Sequence, residues 1–412
     1  MPGSPPLHRF WLGRFTVQQH GAAGLLLRDW LQPAGQVMPG AVFAGLAAPQ
    51  RDKAFFHQAF VRPAITAVGQ TVAALPRGPG DAMFWQFPAR TEQSAWDAHA
   101  GIALPLFDGD VMQVYLGLPW ATWIDKGRKN AWGDAGLLAM QQQLRRVGVH
   151  LSGLRHALGE LGVQLKVHTV CQHIYWQDLL VDWTRLGVTD LWLSHCPAQP
   201  MPGFDLHPWR LFAPNVEDPA RRQGLRIGVD PAQKPLLASF VGTHAAHYLS
   251  DMRLRLGALA AEPGLHIRLT KQWHFEQAVY GHQMRGQALA LESDGSAAAL
   301  ALQDEVAEYN RVLSDSVFSL CPAGAGANTL RFWESLAVGA VPVLLGPVSS
   351  QPELPRGGTL LPVDWDAIVL RVPDDQVHDL AAVLRRVPLD EVRRRQRLGM
   401  EAFALVQQQR CV

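Results

Sequence analysis

At 412 residues the chain exceeds one ordinary core, and two domains of roughly 200 residues each are the expectation. Apolar residues make up 48%, and 37 Lys and Arg balance 36 Asp and Glu, which describes a globular protein and speaks against a nucleic-acid binder. Cys171, Cys196, Cys321 and Cys411 follow no regular spacing, so a disulfide framework is not expected and a reducing compartment fits.

The N-terminal stretch MPGSPPLHRFWLGRF lacks the apolar core of a signal peptide. No run of about 18 apolar residues follows anywhere, so a cytoplasmic protein is expected. Within residues 1–60, short apolar pieces (23–27 and 41–46) alternate with Pro and Gly, as strands and loops do. Residues 82–87 read as a strand ahead of Pro88, and 111–118 as a better one. Asp108-Gly-Asp110 matches the acid pair that holds a divalent cation on a nucleotide-sugar. The Gly between the acids and the strand behind them favour a hairpin turn instead. From Gly133 to about Gly162 apolar residues recur at helical spacing, with Gly148 dividing the segment into one helix or two. Strand 163–170, helix 175–186 and strand 188–193 follow, an alternation that marks a parallel sheet flanked by helices. Residues 197–231, rich in Pro and Gly, read as the connection between domains.

The rhythm then restarts with strand 236–241, helix 248–261, strand 265–269 and helix 297–313. Next comes FSLCPAGAGANTLRFWESLAVGAVPVLLG, residues 318–346. It reads as a strand (317–320), a glycine turn with Gly324 and Gly326, a helix capped by Asn328 or Thr329, a stop at Gly339 and a strand (341–345). A strand feeding a glycine turn and a helix N-terminus is phosphate-binding geometry, through free N–H groups and the helix dipole. On that helix Arg331 and Glu334 are three apart and lie side by side. They form an ordinary ion pair on a surface helix, or Arg331 covers a phosphate while Glu334 accepts from ribose hydroxyls. Strand 364–372, helix 375–386 and a charged helix over 389–409 complete the chain. Two α/β halves predict a doubly wound two-domain architecture with its ligand between them.

Ligands of open α/β sheets sit at the carboxyl ends of the strands. Standing there are Cys171, Gln172 and His173; Ser194 and His195; Thr243 and His244; Thr270 and Lys271; and Cys321 with its glycine turn. Each has a plainer alternative. His173 caps the next helix or binds a carbonyl, Lys271 and Arg253 face water, and His168, in mid-strand, is a core histidine. Zinc on Cys171, His173, His195 and Cys196 is not expected, because their spacing matches no structural zinc pattern. Core packing is the default for most of the 14 tryptophans.

CPAGAGANTLRFWESLAVGAVPVLL resembles the signature of exostosin-type glycosyltransferases, with their CP-containing turn, R-F-W/Y-E helix and G-x-[IV]-P-V strand. SFVG…YLSDMRLRL upstream and LPVDWDAIVLRVP downstream extend the resemblance over about residues 235–400. The resemblance implies a GT-B fold: an acceptor-side Rossmann-like domain over 1–225, a nucleotide-sugar domain over 226–390 and a C-terminal helix over 391–412. It implies inverting, metal-independent transfer with no cofactor. The donor would be a nucleotide-sugar and the acceptor a glycan or lipid-linked glycan. Arg331 would face the diphosphate, Glu334 the ribose and Thr329 the phosphate edge, with Cys321, Gly324, Gly326 and Asn328 around them. The turn carries Ala323 and Ala325 where the family often has a basic and an acidic residue, which leaves Lys271, His244 or Arg253 as substitute cations beside Thr243. The catalytic base is expected from the opposite domain: His173, His195 or Asp125. Bacterial surface-polysaccharide assembly is the implied setting, peripheral to the inner membrane or within an assembly complex. The alternatives are a non-catalytic partner subunit and a nucleotide-sugar epimerase or hydrolase.

Overall fold

A computed structural model of the chain describes residues 85–100, 107–108, 111–129, 133–159, 164–273, 297–355 and 363–411. The readings made for residues 1–60, and most of that for 82–87, lie outside them. Trp85, Gln86 and Phe87 are in loop and bend conformation, so the described end of the latter segment is not strand.

The first half opens with α1 (Thr91–Ala100), then β1 (Phe107–Asp108) and β2 (Val111–Tyr115). β1 pairs antiparallel with β2, Asp108 opposite Val111, as the hairpin reading requires. α2 (Trp120–Arg128) and α3 (Gly133–Gly159) follow, and α3 is one helix. Gly148 serves packing: a Cβ there would stand 3.3 Å from the Arg185 carbonyl oxygen. β3 (Gln164–Cys171), a 3-10 turn at Trp176–Leu179, α4 (Leu180–Leu186) and β4 (Asp190–Leu193) keep the expected alternation. The 197–231 segment is more than a connection, because it contributes β5 (Asp205–Pro208) to the first sheet and α5 (Pro214–Glu217) beyond it. That sheet runs β1-β2-β3-β4-β5, parallel from β2 onward. Trp120, Trp123, Trp176 and Trp183 are buried against it with Val167, Leu191 and Leu193, so these indoles are core.

The second sheet is wholly parallel and ordered β10-β9-β8-β6-β7. Its strands are β6 (Leu236–Thr243), β7 (Leu265–Thr270), β8 (Ser316–Pro322), β9 (Val341–Leu345) and β10 (Leu370–Val372). Its helices are α6 (Met252–Gly257), α7 (Ala297–Ser314), α8 (Leu330–Val338), α9 (Leu380–Arg385) and α10 (Leu389–Gln407). The 364–372 strand shrinks to its last three residues. Trp365, Ile368 and Val369 bury their side chains from a turn, so their apolar character serves the helical layer instead of the sheet. After α8 the chain reverses at Gly339, whose φ of +75° favours glycine. α10 packs on α8, where Gly399 lets Leu336 approach to 3.0 Å of a would-be Cβ. Beyond α10, the Cys411 N–H donates to His99 Nε2 on α1 at 3.0 Å.

The chain runs from β6 outward to β7, then returns to the other side of β6 for β8, β9 and β10. The winding therefore reverses between β6 and β8, which makes their carboxyl ends a topological switch point. Among the described residues no helix is long and apolar enough to cross a membrane.

Candidate active site

The switch point carries two arginines. Arg253, from α6, donates through Nη1 to the Thr243 carbonyl at 2.7 Å and through Nε to that of Ala323 at 2.9 Å. It thereby joins the ends of β6 and β8. Burial is the largest cause that lowers its pKa, to about 10. Arg331, in the first turn of α8, donates to the Val241 carbonyl at 2.6 Å. Its guanidinium lies 5.3 Å from the Phe240 ring centre and 4.8 Å from that of Tyr309, within cation–π range. Arg253 approaches the same Phe240 ring to 5.4 Å. Two cations thus stand at the end of β6, held by carbonyls and aromatic faces.

α8 is not a surface helix: Arg331 through Val338 are all buried, which overturns the reading of Arg331 and Glu334 as an exposed ion pair. Glu334 is 2% exposed. It accepts from the Tyr309 hydroxyl at 2.6 Å and from the Asn215 N–H at 3.3 Å. Its pKa is raised, because burial outweighs Tyr309, Arg331 and Asn215. Tyr309, on α7, therefore links the pair: its ring faces Arg331 and its hydroxyl binds Glu334. Thr329 holds the N-cap position without making a side-chain cap. Asn328 does not cap either; its Nδ2 donates to the carbonyls of Ser194 (2.8 Å) and Trp209 (3.4 Å), and its Oδ1 accepts from Trp333 Nε1. Asn328 ties the glycine turn to the carboxyl ends of β4 and β5.

The glycines admit protein side chains. A Cβ on Gly326 would lie 2.3 Å from the His195 ring, and one on Gly324 would lie 2.9 Å from Arg253 Nη2. The space expected to receive a ligand over Gly326 is filled by an imidazole from the first half. His195 Nδ1 is enclosed and has no hydrogen-bond partner among the described residues, and burial pulls its pKa down to about 3. Cys321 is buried, which pushes its thiol up to about 11, so it is no nucleophile here. His244 stacks edge-on to Tyr248 at 5.8 Å, beside the buried Thr243. Lys271 is exposed at the end of edge strand β7, one strand away from the switch point.

On the first sheet His173 and Asp125 come together. The Tyr175 N–H donates to His173 Nδ1 at 3.1 Å, so Nε2 carries the ring proton and donates it to Asp125 Oδ1 at 3.4 Å. His173 therefore does cap the following turn, and its free lone pair is used. Asp125, 4% exposed on α2, also accepts from Gln86 Nε2 at 2.9 Å. Gln86 accepts from Gln172 Nε2, and Gln172 Oε1 accepts the N–H groups of Thr91 and Glu92. The Glu92 carboxyl receives the N–H groups of Gln172 and Ala121, each at 3.1 Å, and so fixes both the end of β3 and the start of α2. Cys171, His173, His195 and Cys196 do not form a metal set, and no other such group occurs among the described residues.

Tyr309, Asn215, Gln86 and Glu92 escaped the sequence reading. Each lies far along the chain from the residue it serves, and no local pattern marks it. Asn328 was expected as a helix cap and among the donor-side residues; it does not make the cap, and binds the ends of β4 and β5 instead.

The model of the exostosin GT47 domain matches residues 172–387, just over half of the chain. The match begins upstream of the 235–400 stretch, at Gln172 immediately after β3, and takes in all of β4 and β5, so the likeness reaches into the first half. Three probable glucuronosyltransferases of rice (Oryza sativa subsp. japonica) are similar. One is 32% identical over 92 residues, covering 22% of this chain and 20% of that protein. The others are 30% identical over 95 residues (23% and 21%) and 33% over 92 residues (22% and 20%). The matched stretch thus spans about a fifth of the length of these relatives. The crystal structure of a GtfA/B complex aligns over 63% of this chain and 52% of that one, with a TM-score of 0.31 and 11% identity.

Proposed function

The chain belongs to the exostosin GT47 family, and on that premise we propose that it is a glycosyltransferase that moves a sugar from a nucleotide-sugar to a glycan by inversion, without a metal. The carrying observation is the family match across a glycine turn that lies at the switch point of a parallel sheet, with Arg253 and Arg331 beside it. The two halves act as a GT-B pair, residues 1–225 on the acceptor side and 226–390 on the donor side.

The donor diphosphate lies against the N-terminus of α8, where Arg331 and Arg253 neutralise the charge that grows as the anomeric C–O bond breaks. Glu334 takes the ribose hydroxyls once Tyr309 or the Asn215 amide yields an acceptor position. His195 must leave Gly326 for the phosphates to reach the turn, and its unpartnered Nδ1 favours that move. The base is Asp125 instead of His173, because the imidazole lone pair is already engaged while the carboxylate keeps spare ones. Asp125 removes the acceptor hydroxyl proton, the oxygen bonds to the anomeric carbon, and the diphosphate departs from the opposite face. His173 orients the carboxylate. The names of the rice proteins make a glucuronosyl donor the first to test. Bacterial surface polysaccharide remains the proposed setting.

The test is a thermal-shift screen against UDP-, GDP-, CMP- and TDP-sugars, with UDP-glucuronate among them. A bound donor raises the melting temperature by mass action. Arg331→Ala abolishes the shift, and turnover survives EDTA. Loss of turnover in EDTA, or an unchanged shift in the variant, refutes the reading. A non-catalytic partner role is favoured by one observation, the filling of the Gly326 space by His195. Donor binding without turnover across a broad acceptor panel would support that role.

A further inference from the structure

Tyr175 stands two residues after His173 beyond the end of β3, and it is 41% exposed. Its ring is clamped all the same. Arg128, the last residue of α2, holds its guanidinium 3.6 Å from the ring centre. Asp178, in the 3-10 turn, fixes that guanidinium with two bonds: Arg128 Nε donates to Oδ2 at 2.7 Å and Nη2 to Oδ1 at 3.2 Å. The Tyr175 N–H is bound to His173 Nδ1, and the two rings lie 5.6 Å apart. Asp125 and Arg128 are three apart on α2 and so share a face. One helix face therefore makes two matched contacts with the segment after β3: Asp125 to His173 and Arg128 to Tyr175.

Stability does not account for this arrangement. Arg128 and Asp178 are each over 40% exposed as side chains, and exposed pairs contribute little. Tyr175 itself keeps 41% of its surface in water. What the arrangement does achieve is a rigid aromatic surface beside the proposed base, with the adjacent cation neutralised by Asp178. A pyranose presents an apolar face of axial C–H groups to such a ring and keeps its hydroxyls at the edge.

We propose that Tyr175, held by Arg128 and Asp178, is the stacking platform for the acceptor's pyranose ring and directs the accepting hydroxyl toward Asp125. This rests on the glycosyltransferase reading above. Because Asp178 cancels the Arg128 charge, the platform takes an uncharged pyranose in preference to an acidic one. Tyr175 is a positioning residue and takes no part in the chemical step.

Saturation-transfer NMR on the full chain tests it, with methyl glucopyranoside, galactopyranoside, mannopyranoside and xylopyranoside as probes. At least one probe shows saturation concentrated on the axial protons of one face. Tyr175→Ala weakens that signal about tenfold, the scale of one aromatic contact. Tyr175→Phe and Tyr175→Trp retain it, and Arg128→Gln reduces it. In turnover assays Tyr175→Ala raises the acceptor KM by more than it lowers kcat, and Tyr175→Phe restores both. The proposal is overturned if no pyranoside binds the wild-type chain, or if its signal is unchanged in Tyr175→Ala. UDP, GDP, CMP and TDP binding, followed by thermal shift on the same samples, reports on the donor side alone. Its failure in wild type sinks the glycosyltransferase reading, whereas normal nucleotide binding with no Tyr175 effect sinks only the platform.

Discussion

Glu92 holds the acceptor side of the proposed site together, and its burial makes a prediction about pH. The residue is 2% exposed, and burial is the main cause that moves its pKa from the ordinary 4.5 to about 8, against the lowering effect of the Gln172 and Ala121 amides. The folded-state value lies above the unfolded one. Between about pH 4.5 and 8 the native protein therefore keeps a proton that the unfolded chain has released. The stability this group contributes is complete below pH 4.5 and is lost as the pH rises through 8. At about 1.4 kcal/mol per pH unit, the window caps the loss at about 5 kcal/mol. Relaxation around the ionised carboxylate brings the expected loss to about 2–3 kcal/mol. Glu92→Gln keeps the shape and an acceptor oxygen for the same amides but has no proton to lose. Urea unfolding of both proteins from about pH 5 to about pH 9 measures the difference. The two should be nearly equally stable at the acid end, with the wild type falling behind by about 2–3 kcal/mol at the alkaline end. A difference that stays constant with pH would refute the argument, since Glu92 would then titrate alike in both states.

Other outcomes follow from the same geometry. Gly326→Ala drives a methyl group into the His195 ring and destabilises by about 1–3 kcal/mol. Adding His195→Ala recovers only part of this, because Ile174 Cγ2 lies 2.8 Å from the same Cβ; denaturation midpoints of the two variants decide it. Asn328→Ala strips the Ser194 carbonyl of its donor and leaves the Trp333 indole without an acceptor. It should cost about 2–3 kcal/mol in urea unfolding, and a cost within error of zero would show that the tie between the sheets is not needed. Asp125→Asn lowers turnover about 10²–10⁴-fold while nucleotide-sugar binding is unchanged. A matching loss of donor affinity would remove Asp125 from the role of base.

Much of the fold was legible because its signals are local. The apolar arc of 330–338 and the Gly339 stop define α8 within ten or so residues, and the structure places it there. β5 was hidden for an equally local reason. Asp205–Pro208 is a four-residue edge strand with one sheet neighbour and a proline at its end, so it carries no apolar alternation. The turn at 365–368 misled in the opposite way, since Trp365 and Ile368 are as apolar as strand residues and bury themselves without entering the sheet. At the site, spacing alone set Arg331 beside Glu334. It could not supply Tyr309, which sits on another helix and stands between them.

The sequence by itself determined the kinds of element and their alternation, the glycine turn before a helix, and the family motif around Arg331 and Glu334. These depend on neighbours within one or two turns of chain. Only the tertiary structure decided the strand order that puts the switch point between β6 and β8. It also decided the joining of His173 to Asp125, and the use of Gly326 to admit His195. Each of these is a contact between segments tens or hundreds of residues apart. Such contacts are fixed by which surfaces bury one another and by which buried polar groups find partners.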